Sequence, residues 1–318
     1  MKRHIRYEPL AVKTMLGPVK APSMPFEWSI NPYRGCQHGC AFCYARSTHA
    51  FLGMEADDTF QNRILMKTEG PEALRSQLDK MARSRKGVRA IGRIAIGTAT
   101  DPYQQVEANA GLTRACLEVL AEYPVSVSIT TRSPLILRDL DLLRRMPGVS
   151  VNMSVGTLRT DVWKNFEPST PSPRKRLEAI KQLGEEGIVT RVFVAPILPH
   201  ISDHADDLGA LIEAIADCHP GSVMSSMLRL STREVKVWFF RTLHEHYPHL
   251  TETYATMYRG SANALDDYRV RVRQTIRLLL EQYWLRESDS DRRPAAAADF
   301  EDAGATESAP AVQQLYLF

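Results

Sequence analysis

The chain has 318 residues, 44% of them apolar, with a formal net charge of +3, the composition of an ordinary globular protein long enough to bury one large core. No run approaches a membrane span, and the basic residues 1–17 lack the continuous apolar stretch of a signal peptide, so a cytoplasmic protein without membrane contact is expected. The charge is unevenly divided: from Glu287 onward seven acidic residues face two basic ones, a balance of −5 that leaves +8 on residues 1–286, an excess suited to a polyanion such as nucleic acid and equally to a solvated surface.

Residues 1–27, with Pro9, Pro18, Pro22 and Pro25, read as an extended lead-in. A short strand at 28–31 then delivers Pro32-Tyr33-Arg34-Gly35 into a loop carrying Cys36, Cys40 and Cys43. Leu74, Leu78 and Met81 fall at helical spacing within 71–85. From there strands are expected at 93–97, 125–131, 149–155, 189–195 and 222–230, with helices at 111–121, 135–146, 174–186 and 206–217 between them. Segment 189–195 is nearly all apolar, as a strand buried on both faces should be. Six strand–helix alternations predict an α/β fold with a parallel sheet, a partial (β/α)6 TIM-like barrel over 28–286 whose side is closed by helices at 232–247 and 267–287. Chemistry in such barrels sits at the C-terminal ends of the strands.

Spacings of four and three place the three thiols on one side of a tight loop, close enough to hold one metal centre with a fourth position vacant. A disulfide is disfavoured by the odd count of five cysteines and by a reducing compartment. A structural zinc site would need His38 or His49 as its fourth ligand. An iron–sulfur cluster held by three thiolates would leave one iron open. The run C-x3-C-x-aromatic-C, with Phe42 as the aromatic, resembles the radical S-adenosylmethionine (SAM) enzymes. That resemblance implies a [4Fe–4S] cluster on Cys36, Cys40 and Cys43, SAM chelated at the open iron, and Phe42 near the adenine.

Within the superfamily the chain resembles the spore photoproduct lyase group and its bacterial relatives over residues 26–286. The likeness rests on residues 31–36, Phe42 and Tyr44, Thr98 to Asp101, residues 194–197 and the stretch from Tyr247-Pro248 to Met257-Tyr258. It implies SAM contacts from Thr100, Asp101, Arg132 and Ser154 at successive strand ends, and a backbone contact to the adenine from Ala195. It also implies that the reduced cluster, supplied by a donor such as a flavodoxin or ferredoxin, cleaves SAM to methionine and a 5′-deoxyadenosyl radical that takes hydrogen from substrate. Two departures stand out. Where the lyase carries a hydrogen-donating cysteine this chain reads Gly97-Thr98-Ala99, and Phe42 replaces a tyrosine of its radical relay, although Tyr44 is kept. Tyr44 and Tyr103 are candidates for radical transfer, or else packing residues.

His200 and His204 flank Asp203 after the fifth strand, where Pro199 argues for a solvated loop over a metal site. His244, His246 and His249 read as surface, and Cys116 and Cys218 as buried small hydrophobes. Residues 287–313, rich in Ala, Asp, Glu, Ser and Pro, read as a flexible disordered tether, with a reach of roughly 25–30 Å. The chain then ends in Gln314-Leu315-Tyr316-Leu317-Phe318, which resembles the bacterial sliding-clamp binding motif through Gln314, Leu315, Leu317 and Phe318. The expected function is a radical SAM enzyme acting on DNA, at a lesion or modified base. The alternatives are RNA or a small metabolite as substrate, or a clamp-associated iron–sulfur protein without catalysis.

Overall fold

The computed structural model describes residues 5–288 except 22–23, 53–56 and 86. Six parallel strands lie in sequence order across one sheet: β1 Trp28–Ile30, β2 Arg93–Ile96, β3 Ser126–Thr131, β4 Val149–Ser154, β5 Val189–Ile197 and β6 Ser222–Met227. Gly17–Pro18 adds an antiparallel edge outside β1. Sequential parallel order with helical crossovers is the winding of a barrel, here left open between β1 and β6.

A period of two within the strands separates the inside of this barrel from its jacket. In β3, Val127 and Ile129 are buried in the apolar core, whereas Ser128 and Thr130 line the interior cavity. In β4, Val151 and Met153 take the outer face, and Asn152 and Ser154 the inner one. The jacket is α1 Gly70–Ala82, α2 Leu112–Leu120, α3 Pro173–Glu185 and α4 Ala205–Ala216. The first turn of α3 shows why such a segment is helical: Ser172 Oγ accepts from the Lys175 N–H at 3.4 Å and Pro173 occupies the first position. Leu177, Ile180 and Leu183 then recur at three-residue spacing on its buried face. Of two further helices, α5 Arg233–His246 packs against the 3-10 segment Tyr44–Leu52 after the cysteine loop and the short helix Thr160–Phe166, and α6 Asp266–Gln282 packs against α4 and β6. Among the described residues no helix is long and apolar enough to cross a membrane.

Three elements differ from the spacing-based expectation. The helix expected at 135–146 is a 3-10 turn, Pro134–Asp139, followed by one α turn, Leu140–Leu143. The tighter winding sets the buried Asp139 carboxylate against Arg114, Arg138 and the Tyr103 hydroxyl. The helix expected at 267–287 stops at Gln282, because Trp284 takes a left-handed φ of 56° and residues 286–288 run extended along β6. Val223 N–H donates to Arg286 O and Ser288 N–H to Val223 O, each at 2.8 Å, which covers the sheet edge. The lead-in also does more than approach: Arg6–Pro9 pairs in parallel with Arg63–Met66, which pairs antiparallel with Tyr33–Arg34. This small sheet braces the base of the cysteine loop. Beyond Glu287 and Ser288, the expected tether and the pentapeptide 314–318 lie outside the described residues.

Candidate active site

The cysteine loop leaves β1 through Gly35, whose φ of +80° only glycine adopts readily. A Cβ there would sit 2.7 Å from Arg63 O and 2.8 Å from Phe60 O, so the close approach of two carbonyls also requires glycine. The loop is then tied to the segment after β2 by a set of side-chain bonds. Asn31 accepts from Ala99 N–H at 2.7 Å and donates to Thr98 Oγ1 at 2.9 Å. Thr100 Oγ1 donates to Gly35 O at 2.6 Å, Gln37 N–H donates to Gln104 Oε1 at 2.9 Å, and Val106 N–H donates to Gln37 Oε1 at 2.8 Å.

Asp101 is the centre of that attachment. One oxygen accepts from Thr131 Oγ1 at 2.7 Å and Tyr103 N–H at 2.9 Å; the other accepts from Arg132 N–H at 2.7 Å and lies 3.2 Å from His38 Nδ1. Burial would raise its pKa, but His38 and the hydrogen bonds from Thr131 and Arg132 outweigh burial and hold the carboxyl down at about 2.

Cys36 and Cys40 are buried and Cys43 is half-buried; all three are free thiols. They line one end of a cavity of about 590 Å³ that fills the barrel interior. Burial pushes the Cys36 thiol up to about 12, with Asp101 and Cys43 adding to it, while at Cys40 the charge of Arg132 opposes burial. No three described His, Cys, Asp or Glu side chains converge on a single-ion site, and a four-iron cluster is wider than one ion. Neither histidine considered for zinc joins the thiols. His38 faces Asp101, and His49 packs with its ring centroid 5.0 Å from that of Phe60, outside the cavity lining.

Of the expected SAM contacts, Phe42, Thr100, Asp101, Arg132, Ser154 and Ala195 all line the same cavity. Thr100 and Asp101 nevertheless direct their side-chain polar atoms to the cysteine loop and its neighbours. Arg132 sits 5.7 Å from the Phe42 ring centroid, with Nε 3.6 Å from Glu167 and without a hydrogen-bond partner. Tyr44 lines the cavity and donates its hydroxyl to Thr98 O. Tyr103 does not line it: that ring is 1% exposed and its hydroxyl donates to Asp139 at 3.1 Å. His200 and Asp203 meet through the Tyr268 hydroxyl.

The interior residues Ser128, Thr130, Asn152, Arg93 and Arg191 were not expected from strand ends alone. For Ser128, Thr130 and Asn152 the signal lay in the alternation Ser-Val-Ser-Ile-Thr and Val-Ser-Val-Asn-Met, which puts every second, polar residue on one face. Asn152 Oδ1 and Ser231 Oγ are buried without hydrogen-bond partners, and both residues line the cavity. Three free thiols at one end and unsatisfied polar atoms along the walls are what a thiolate-held cluster and a polar, hydrogen-bonding ligand such as SAM require.

Residues 30–212 match the radical SAM superfamily. An uncharacterised protein of Mycobacterium tuberculosis is 32% identical over 298 residues, covering 92% of this chain and 84% of that protein. A radical SAM Nα-GlyT isomerase of Pseudomonas phage M6 is 28% identical over 186 residues, covering 58% of this chain and 36% of that one. Among solved structures, spore photoproduct lyase complexed with dinucleoside spore photoproduct superposes with a TM-score of 0.64 at 19% identity, over 87% of this chain and 79% of that one. Cysteine loop, barrel and family match agree: the chain belongs to the radical SAM superfamily, whose cofactors are a [4Fe–4S] cluster and SAM.

Proposed function

We propose that the protein acts on DNA, at a damaged or modified base, by a radical reaction other than the lyase's own. The observation that carries this reading is one continuous cavity that joins the three thiols to the strand-end polar groups, in a fold shared with a lyase complexed with a dinucleoside photoproduct. The charge of +8 on residues 1–286 and the clamp-like pentapeptide support DNA as the partner. When bound, the cluster and SAM supply a 5′-deoxyadenosyl radical for hydrogen abstraction.

The chain's own residues hold Cys36, Cys40 and Cys43 at the cavity end and shield it from water. Among the described lining residues the three cluster cysteines are the only thiols and Tyr44 the only phenol. Cys116 is buried in α2, and Cys218 donates to Leu177 O and Ala214 O, so neither is placed to return hydrogen. Tyr44 is the remaining candidate, with its hydroxyl pKa raised well above normal by burial. The phage isomerase adds rearrangement to cleavage as a class of outcome.

Anaerobic reconstitution with iron and sulfide, then dithionite and SAM, is expected to yield 5′-deoxyadenosine, and ultraviolet-damaged or base-modified DNA to stimulate it several-fold. Stimulation by RNA alone would move the substrate to RNA. An intact cluster with no cleavage, even with damaged DNA present, would leave a binding protein. Deleting residues 314–318 is expected to remove binding to purified bacterial sliding clamp while leaving SAM cleavage intact; equal clamp affinity without them sinks the docking role.

A further inference from the structure

We propose that Arg93 and Arg191 form an anion subsite on the floor of the barrel that binds a phosphate group of the substrate. The proposal rests on the radical SAM reading of the cavity but not on DNA as the substrate. Both arginines line the cavity, Arg93 as the first residue of β2 and Arg191 as the third of β5. They therefore approach from strands on opposite sides of β3 and β4. Arg191 Nη1 donates to Ser150 Oγ at 3.0 Å, which orients that guanidinium.

No ion pair among the described residues involves either arginine. Glu27 is exposed and its carboxylate accepts from the Arg93 backbone N–H at 2.7 Å. Asp101 is the one carboxylate among the described lining residues, and its oxygens are already engaged by Thr131, Tyr103, Arg132 and His38. Burial, and then the charge of Arg93, depress the pKa of Arg191. Two like charges gathered inside a cavity without a counter-ion are unfavourable, and a bound oxyanion reverses that sign. The planar fork of arginine suits phosphate in particular, because two parallel N–H groups match two of its oxygens.

Position separates this subsite from the cluster end. Arg93 lies three residues before Ile96, the last residue of β2, so the floor is about 10 Å below the end of that strand at the usual strand rise. Between floor and rim stands Asn152, 5% exposed, whose Nδ2 donates to Ser128 Oγ at 2.9 Å and Thr130 Oγ1 at 3.1 Å. With its nitrogen held there, Oδ1 is a free acceptor on the cavity wall. A phosphate on the floor and a hydrogen-bond donor opposite Asn152 together describe a nucleotide, with its sugar or base directed toward the thiols.

The test is calorimetric titration of the full-length reconstituted protein at fixed ionic strength with thymidine, thymidine 5′-monophosphate and a short oligothymidylate. The unaltered protein is expected to bind the monophosphate at least about tenfold more tightly than thymidine, the scale of one charge-assisted contact. Arg191→Gln and Arg93→Gln should each remove most of that difference, and Arg191→Lys should keep part of it. Loss confined to the oligothymidylate would assign the phosphate to a DNA backbone; loss with the monophosphate would assign it to a nucleotide end. Equal affinity of the unaltered protein for thymidine, its monophosphate and the oligothymidylate, compared per nucleotide, overturns the subsite, as do Gln variants that bind both phosphate ligands as tightly as the unaltered protein. Melting temperature and iron content of each variant report folding separately. Uncoupled SAM cleavage by the unaltered protein tests the radical reading whatever the phosphate result.

Discussion

Cys40→Ala is expected to abolish the iron–sulfur absorbance of the reconstituted protein and to cut 5′-deoxyadenosine formation by more than about 100-fold, since even the partners of metal ligands cost 10–100-fold. Cys40 is buried at the cavity end with Cys36 and Cys43, and the described residues provide no substitute ligand nearby: His38 is engaged by Asp101 and His49 lies outside the cavity lining. The fold itself should survive, because Cys40 belongs to a loop held by Gln37, Thr100 and Ala41, whose N–H donates to Phe166 O at 2.8 Å. Cys218→Ala is the matched control. That thiol sits just after α4 and donates only to backbone carbonyls, so its loss should leave iron content unchanged and cost about 1 kcal/mol of stability. Cluster absorbance retained by Cys40→Ala, at the level of the control, would refute the ligand assignment.

Barrel and cluster loop were legible because their signals are local and redundant. Each strand is an apolar or alternating run of three to nine residues, and all but β3 are followed by a helix with its own stripe before the next strand; six strands in that rhythm admit few other folds. The cysteine spacing is a specific motif, and nothing in the structure competes with it. What stayed hidden was long-range. Arg63–Met66 becomes a strand only because Arg6–Pro9 and Tyr33–Arg34 meet it, pairings no window of sequence contains. Tyr103 follows a strand end, as a cavity residue would, yet the carboxylate of Asp139, 36 residues away, draws it into the core. Gln37 and Gln104 read as ordinary loop residues until the fold sets them against one another. Spacing can place a residue at the end of a strand, but not decide whether its polar atoms face a ligand or a neighbouring loop.

Asp101 poses that question most sharply, and its replacement is the second large effect expected. Resemblance makes Asp101 a SAM contact; the hydrogen bonds make it the post that fastens the cysteine loop to β2 and β3. Asp101→Asn preserves size but turns one acceptor into a donor, which must then confront either the Thr131 and Tyr103 pair or the Arg132 N–H and His38. Breaking one partner of a buried, fully hydrogen-bonded charge costs about 3–5 kcal/mol, so the variant should melt several degrees lower and retain less iron after reconstitution. The pH dependence has a definite sign. Because the folded carboxyl is held at about 2, below its ordinary value, its stabilisation is complete above roughly pH 4 and is lost as the pH falls toward 2. The melting difference between the unaltered protein and Asp101→Asn should therefore shrink as the pH falls through that acid window. A pure cofactor contact gives another pattern: unchanged melting and iron content, with only the SAM concentration needed for cleavage rising. That result would return Asp101 to the cofactor and leave the loop to be held by Asn31, Gln37, Thr100 and Gln104.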